Sequence, residues 1–174
     1  MSNKILLGIF FILFPFLGLF AQQEEGNTYK TPERLFHISR SANKNLVCYD
    51  INLENGKFNA EKPLKVYWIN REEHPGKRGE LSFIQRKFAY GYKLVSSDSQ
   101  KSVCSLTAYP SRKLIVTKQN NRYVCLITID GQQAELKSLY VKASPSNPLS
   151  VEYVELHGIS QSTNQPVTER VKKE

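Results

Sequence analysis

A chain of 174 residues has the length of one domain and enough material to build a core without covalent staples. Its 24 basic residues against 16 acidic ones leave a net charge of +8, which suits anionic polymers and acidic glycans. Three cysteines, an odd number, exclude a complete disulfide framework.

The first 21 residues read as a secretory signal peptide. Lys4 supplies the positive start, and residues 5–20 form an apolar run containing Pro15 and two glycines. Ala21 is the small residue before the polar Gln22-Gln23-Glu24-Glu25. The alternative is a membrane anchor. The run of about 16 residues falls short of the roughly 20 that a spanning helix needs. Pro15 and the abrupt Ala21-Gln22 junction favour cleavage after Ala21, and no Cys follows to carry a lipid. Cleavage would deliver the chain to the periplasm or beyond, away from genomic nucleic acid. It would also remove Lys4, which lowers the net charge from +8 to +7. No later apolar run has the length of a span, so the mature protein is expected to carry no membrane span and no nucleic-acid partner.

Residues 22–33 read as a flexible leader ending in Thr31-Pro32. A short strand at 35–40 precedes the turn Ser41-Ala42-Asn43-Lys44-Asn45, whose side chains satisfy their own backbone. In the strand at 46–53, Val47, Tyr49, Ile51 and Leu53 alternate. Asn55-Gly56 marks a tight turn. The strand at 64–70 is apolar on both faces, and residues 72–79 form an exposed loop.

The segment 80–95 is the helical reading in a chain of strands. Leu81, Ile84 and Phe88 recur on one helical face, which is expected to pack inward. Arg86 and Lys87 suit the C-terminal dipole, and Gly91 stands where a helix stops. A meander follows, with strands from Tyr92 and at 103–109, 113–118, 123–130, 135–143, 151–158 and 167–171. Its breaks include Asn120-Asn121 and the hairpin dipeptide Asp130-Gly131. Residues 172–174 are expected to form a disordered tail. The expectation is one mainly β domain over 34–171. It is an antiparallel β-sandwich or barrel of about nine strands, with one helix near residues 80–90.

Cys48, Cys104 and Cys125 each lie in apolar or β-rich runs, where a free thiol behaves as a small hydrophobe. In a meander Cys104 and Cys125 stand two strands apart, about 10 Å at ~4.8 Å per strand. A disulfide needs Cα atoms within about 7 Å. No Cys104–Cys125 bridge is expected, and a pairing of Cys48 stays open.

The histidines, His37, His74 and His157, form no metal-ligand spacing and sit beside no nucleophile motif. His157 shares a strand face with Glu155, and His37 could join them only if two strands meet. No catalytic residue, metal or cofactor is assigned. Two segments carry more polar and aromatic chemistry than a core needs. The first holds His37, Arg40 and Asn43, with Arg40 able to grip a carboxylate or phosphate in a fork. The second holds Arg86 and Tyr90, and Trp68 is the single Trp. Aromatic faces beside Arg and Asn are a means of holding sugars. The plainer alternatives are a capped hairpin with a solvent-facing Arg, and Trp68, Phe88 and Tyr90 as filling between helix and sheet.

The runs FHISRSANKNLVCYD, PLKVYWIN, FIQRKFAYGYKL and VEYVELHG resemble an uncharacterised bacterial family, domain of unknown function 4833. The likeness covers about residues 34–171. The Leu19-Phe20-Ala21-Gln22 junction resembles exported proteins of Bacteroidota. The resemblance implies export and a single small domain, and carries no activity, cofactor or site residue.

The function expected is a secreted or periplasmic binding module for a glycan or an anionic envelope component. The rivals are an enzyme with a noncanonical His/Glu site and a structural envelope interaction protein with an exposed apolar patch. The leader reading has a direct test. N-terminal sequencing of the protein recovered from the periplasm of an expressing bacterium is expected to begin at Gln22; a chain still beginning at Met1 would overturn it.

Overall fold

The computed structural model describes residues 31–172. The signal-peptide reading and most of the flexible leader lie outside the described residues.

The elements run in this order: β1 (Arg34–Arg40), β2 (Asn43–Ile51), β3 (Leu53–Glu54), β4 (Lys57–Phe58), β5 (Leu64–Ile69), β6 (Arg78–Glu80), α1 (Phe83–Gln85), a π-helical turn (Arg86–Tyr90), β7 (Tyr92–Ser97), β8 (Lys101–Leu106), β9 (Tyr109–Gln119), β10 (Arg122–Ile129), β11 (Gln132–Ser144), β12 (Asn147–Ser160) and β13 (Pro166–Lys172). Each strand read from the sequence is present. Lys172 closes β13 instead of beginning the tail.

Local chemistry explains the turns. Asn55-Gly56 and Asp130-Gly131 both have positive φ at the two turn positions, and so does Asn120-Asn121. Such turns match the twist of antiparallel strands, and Asn, Asp and Gly tolerate that backbone best.

The fold is mainly β, with one large curled sheet that makes a half-barrel. Its strand path is β6-β5-β2-β1-β11-β10-β9-β8-β7, with β12 and β13 added beyond β11. The sheet forks at β11. Gln132–Glu135 of this strand pair with β10, while Ser138–Val141 pair with β1. The other edge of β11 carries β12 along nearly its whole length.

The pairing of β1 with β11 is parallel, so the sheet is mixed where a wholly antiparallel one was expected. Only Leu126–Ile129 of β10 pair with β11, at Gln132–Glu135, so the rest of that edge is open and β1 takes it at Ser138–Val141.

The two wings curl toward each other over one core. Phe36, Val47, Tyr49 and Val66 from one wing meet Cys104, Leu114, Val116, Cys125 and Ile127 from the other in a single buried cluster. Phe36 and Tyr49 stack with ring centroids 4.3 Å apart. Hydrogen bonds also tie the wings. The Tyr49 hydroxyl donates to the Tyr90 carbonyl at 2.7 Å, and the Tyr92 hydroxyl donates to the Leu64 carbonyl at 3.1 Å. Ser102 donates to the Ala60 carbonyl at 2.9 Å.

Cys104 and Cys125 lie on β8 and β10, with β9 between them as expected. All three thiols are free and buried.

The helical segment departs from its expected form. The α-helix is a single turn that widens into a π-helical turn. Its apolar side chains face water: Phe83 is 74% exposed, Ile84 67% and Phe88 64%. Leu81 is buried, but it precedes the helix and anchors its entry. The spacing Leu81, Ile84, Phe88 therefore does not describe one inward face.

Gly91 explains where the turn ends. A Cβ there would stand 1.9 Å from the Arg86 carbonyl oxygen and 3.0 Å from the Thr107 hydroxyl. Only glycine lets the chain cross so closely over its own preceding turn. Gly91→Ala is expected to lower stability by more than about 2 kcal/mol, because the atom that must yield is backbone. Urea unfolding would read this as a lower midpoint at unchanged slope. An unaltered midpoint would count against the close approach.

Candidate functional site

The sequence-derived residues separate into two places. Arg40, Trp68 and Tyr90 interlock around the π turn. Arg40 Nη1 donates to the Tyr90 hydroxyl at 2.9 Å, and Arg40 Nη2 donates to the Pro148 carbonyl at 2.7 Å. The rings of Trp68 and Tyr90 meet edge to face at 5.2 Å. Burial raises the Tyr90 phenol pKa, although the Arg40 guanidinium opposes this, so the hydroxyl stays protonated and accepts from Arg40.

Gln85 is the residue that sequence reasoning missed. Its side-chain oxygen accepts from the Ser82 backbone N–H at 2.9 Å and from Trp68 Nε1 at 3.1 Å. Ser82 Oγ in turn accepts from the Gln85 backbone N–H at 3.2 Å. The spacing Ser-x-x-Gln is a capping-box signal and was legible in the chain. Trp68 thus docks the helical segment onto β5, and its ring is packed, half-buried, against Tyr90. Arg86 stands apart from this group and pairs with Glu80 at 2.5 Å on the surface.

Beside the interlocked group, the β1–β2 hairpin forms one wall of a cleft of about 410 Å³. Ser39, Arg40, Ser41, Asn43, Lys44 and Arg71 line it, with Glu72 as the acidic member. Asn43 is the cross-strand partner of Arg40. Its side-chain oxygen accepts from the Asn45 backbone N–H at 3.1 Å, which shapes the hairpin tip. Arg40 Nε is buried without a hydrogen-bond partner, although both terminal nitrogens are engaged.

His37 lies elsewhere. Its neighbours in register are Cys48 on β2 and Ser138 on β11. Ser138 is in register with His157, and His157 with Thr168. In-register residues share a sheet face, so His37, Ser138, His157 and Thr168 form one row across four strands. Cys48 and Tyr67 on that face belong to a second, smaller apolar cluster. The row thus lies opposite the main core.

His37 and His157 are about 10 Å apart at Cα, by the usual strand spacing. His157 Nδ1 is 3.2 Å from the Thr168 hydroxyl, and His157 Nε2 is 3.6 Å from Glu155. Arg170 also binds Glu155, at 2.6 Å. Neither histidine lines the hairpin cleft. Among the described residues, no three His, Cys, Asp or Glu side chains form a group that could hold a metal ion.

The thiols offer little nucleophilic chemistry. Burial pushes Cys48 up to about 11 and Cys104 up to about 12, and raises Cys125 as well. All three are thiols at neutral pH, and the thiolate is the reactive form.

A family model described as Domain of unknown function (DUF4833) matches residues 36–170. No curated protein matches the chain, and no solved structure does.

One titration follows from the row. Burial, then the charges of Arg34, Arg71 and His157, hold the His37 pKa down at about 4 from 6.5. Below pH 6.5 the unfolded chain takes up a proton that native His37 refuses until about pH 4. Stability is therefore lost as pH falls through this window. Glu135 and Glu169 have pKa values below their usual 4.5, so their share of acid loss comes lower. His37→Gln is expected to flatten the decline between pH 6.5 and 4.5 in urea titrations. An equal slope in both proteins would remove His37 as its source.

Proposed function

The chain belongs to the family of the domain of unknown function DUF4833, and from that premise we propose that it is an exported binding module for an acidic glycan or a similar anionic envelope component. The hairpin cleft is its site. The observation that carries this reading is the cleft's composition: Arg40, Lys44 and Arg71 stand against the single acid Glu72, with Ser39, Ser41 and Asn43 between them.

Cations set the sign of the ligand, while hydroxyls and an amide suit a polyhydroxylated chain. The volume of about 410 Å³ suits one or two sugar units. The charge of +7 that remains once the leader and its Lys4 are removed draws such a ligand in from a distance.

A second reading rests on the opposite face. His157 Nδ1 lies 3.2 Å from the Thr168 hydroxyl, and Ser138 is its neighbour in register; an imidazole beside a hydroxyl is a motif of acyl transfer. Glu155, 3.6 Å from His157 Nε2, also serves Arg170, so its charge is shared. The binding reading uses more of the residues that the sequence singled out.

Lys44 is exposed and lies on the hairpin, so it can be reversed without disturbing the core. Lys44→Glu is expected to weaken binding of acidic oligosaccharides about tenfold on a glycan array or by calorimetry, with the affinity falling as salt rises. Lys113→Glu, on β9, is the control and should bind as the parent does. Equal loss in both variants would point to net charge alone and overturn the cleft.

A further inference from the structure

We propose that the turn from Phe83 to Phe88 is a docking element that seats the domain on an anionic phospholipid surface. Phe83, Ile84 and Phe88 are 74%, 67% and 64% exposed on one short segment. Three large apolar side chains gathered on a surface turn are out of keeping with a purely solvated face.

Their arrangement is specific. Lys87 Nζ lies 5.7 Å from the Phe83 ring centroid and 5.3 Å from that of Phe88. One ammonium therefore stands between two rings on the same side of the turn. The π-helical widening brings residues five apart into line, and such turns recur at functional sites.

The segment is held firmly at both ends while its middle projects. Leu81 and Tyr90 are buried. The Ser82–Gln85 box and the Trp68 indole clamp the entry. Tyr49, Arg40 and Gly91 clamp the exit. Arg40 also ties in the start of β12 at Pro148, next to Leu149, which is 87% exposed. A rigid mount lets aromatic side chains enter an interface without the cost of ordering a loop.

Charge selects the occupant. Glu80 pairs with Arg86, and beyond it residues 81–97 hold no acidic residue, which leaves Lys87 and Lys93 as the charges the turn offers. Aromatic and aliphatic tips flanked by cations match the boundary between anionic headgroups and acyl chains. A second copy of the chain fits less well, because a two-fold contact would press Lys87 against its own copy. No helix among the described residues is long and apolar enough to cross a membrane, and the contact proposed here is a peripheral one.

The test reads the turn itself, which separates its insertion from any affinity of the apolar N-terminal run. Phe88→Trp in the full chain is mixed with vesicles of brominated phosphatidylglycerol or brominated phosphatidylcholine. The proposal expects a blue shift and quenching on the anionic vesicles, beyond the response of Trp68 in the parent. Apparent affinity should be about tenfold lower on neutral vesicles. Adding Lys87→Glu should lower the anionic response several-fold, and Phe83→Ser in the same background should do so at least as strongly. Both positions are exposed, so an unchanged urea midpoint would confirm an intact fold. Quenching no greater than that of parental Trp68, or equal on both vesicles, overturns the proposal. Self-association by sedimentation that Phe83→Ser abolishes, without vesicle quenching, also overturns it in favour of a second copy.

Discussion

The fold depends on one edge of β11 serving two strands in succession. Its first residues hydrogen-bond to β10 and its later ones to β1. A strand edge has a single row of donors and acceptors, so two neighbours can share it only end to end. That constraint splits the sheet into two wings which cannot stay coplanar. They close over Phe36, Tyr49, Leu114 and Ile127 and bury the apolar faces of both. Burial at about 25 cal/mol per Å² outweighs the few hydrogen bonds that join the wings, but those bonds set where the wings meet.

The meeting line explains why the candidate surfaces lie where they do. Tyr49 reaches from one wing to the backbone at Tyr90, just where the chain leaves the π turn for the other wing. Arg40, at the end of β1, reaches the same tyrosine from the hairpin side. The cleft and the projecting turn therefore stand on either side of a shared rigid hinge of aromatic and guanidinium contacts. An anionic ligand in the cleft and an anionic surface under the turn would both draw on the same excess of positive charge. This gives one electrostatic logic to a basic domain.

Much of this was legible in the residues. Val47, Tyr49 and Ile51 alternate, and all three are buried in the main core. Asn55-Gly56 and Asp130-Gly131 announced backbones that few other pairs adopt. Arg40, Trp68 and Tyr90 stand out in the sequence, and the structure brings both Arg40 and Trp68 onto Tyr90. His37 and Arg40 are near in sequence, yet residues an odd number apart on a β-strand point to opposite faces, and the register shifts between Ile38 and Arg40.

The sequence by itself determined the strands, the hairpin turns and the buried thiols, because each depends on residues close along the chain or on burial common to any β core. Tertiary structure alone decided the parallel seat of β1 on β11 and the outward aim of Ile84 and Phe88. Apolar spacing records that a side chain avoids water in some state of the protein. It does not record whether the cover comes from the domain's own sheet, and here Leu81 and Tyr90 had already filled the space beneath the turn.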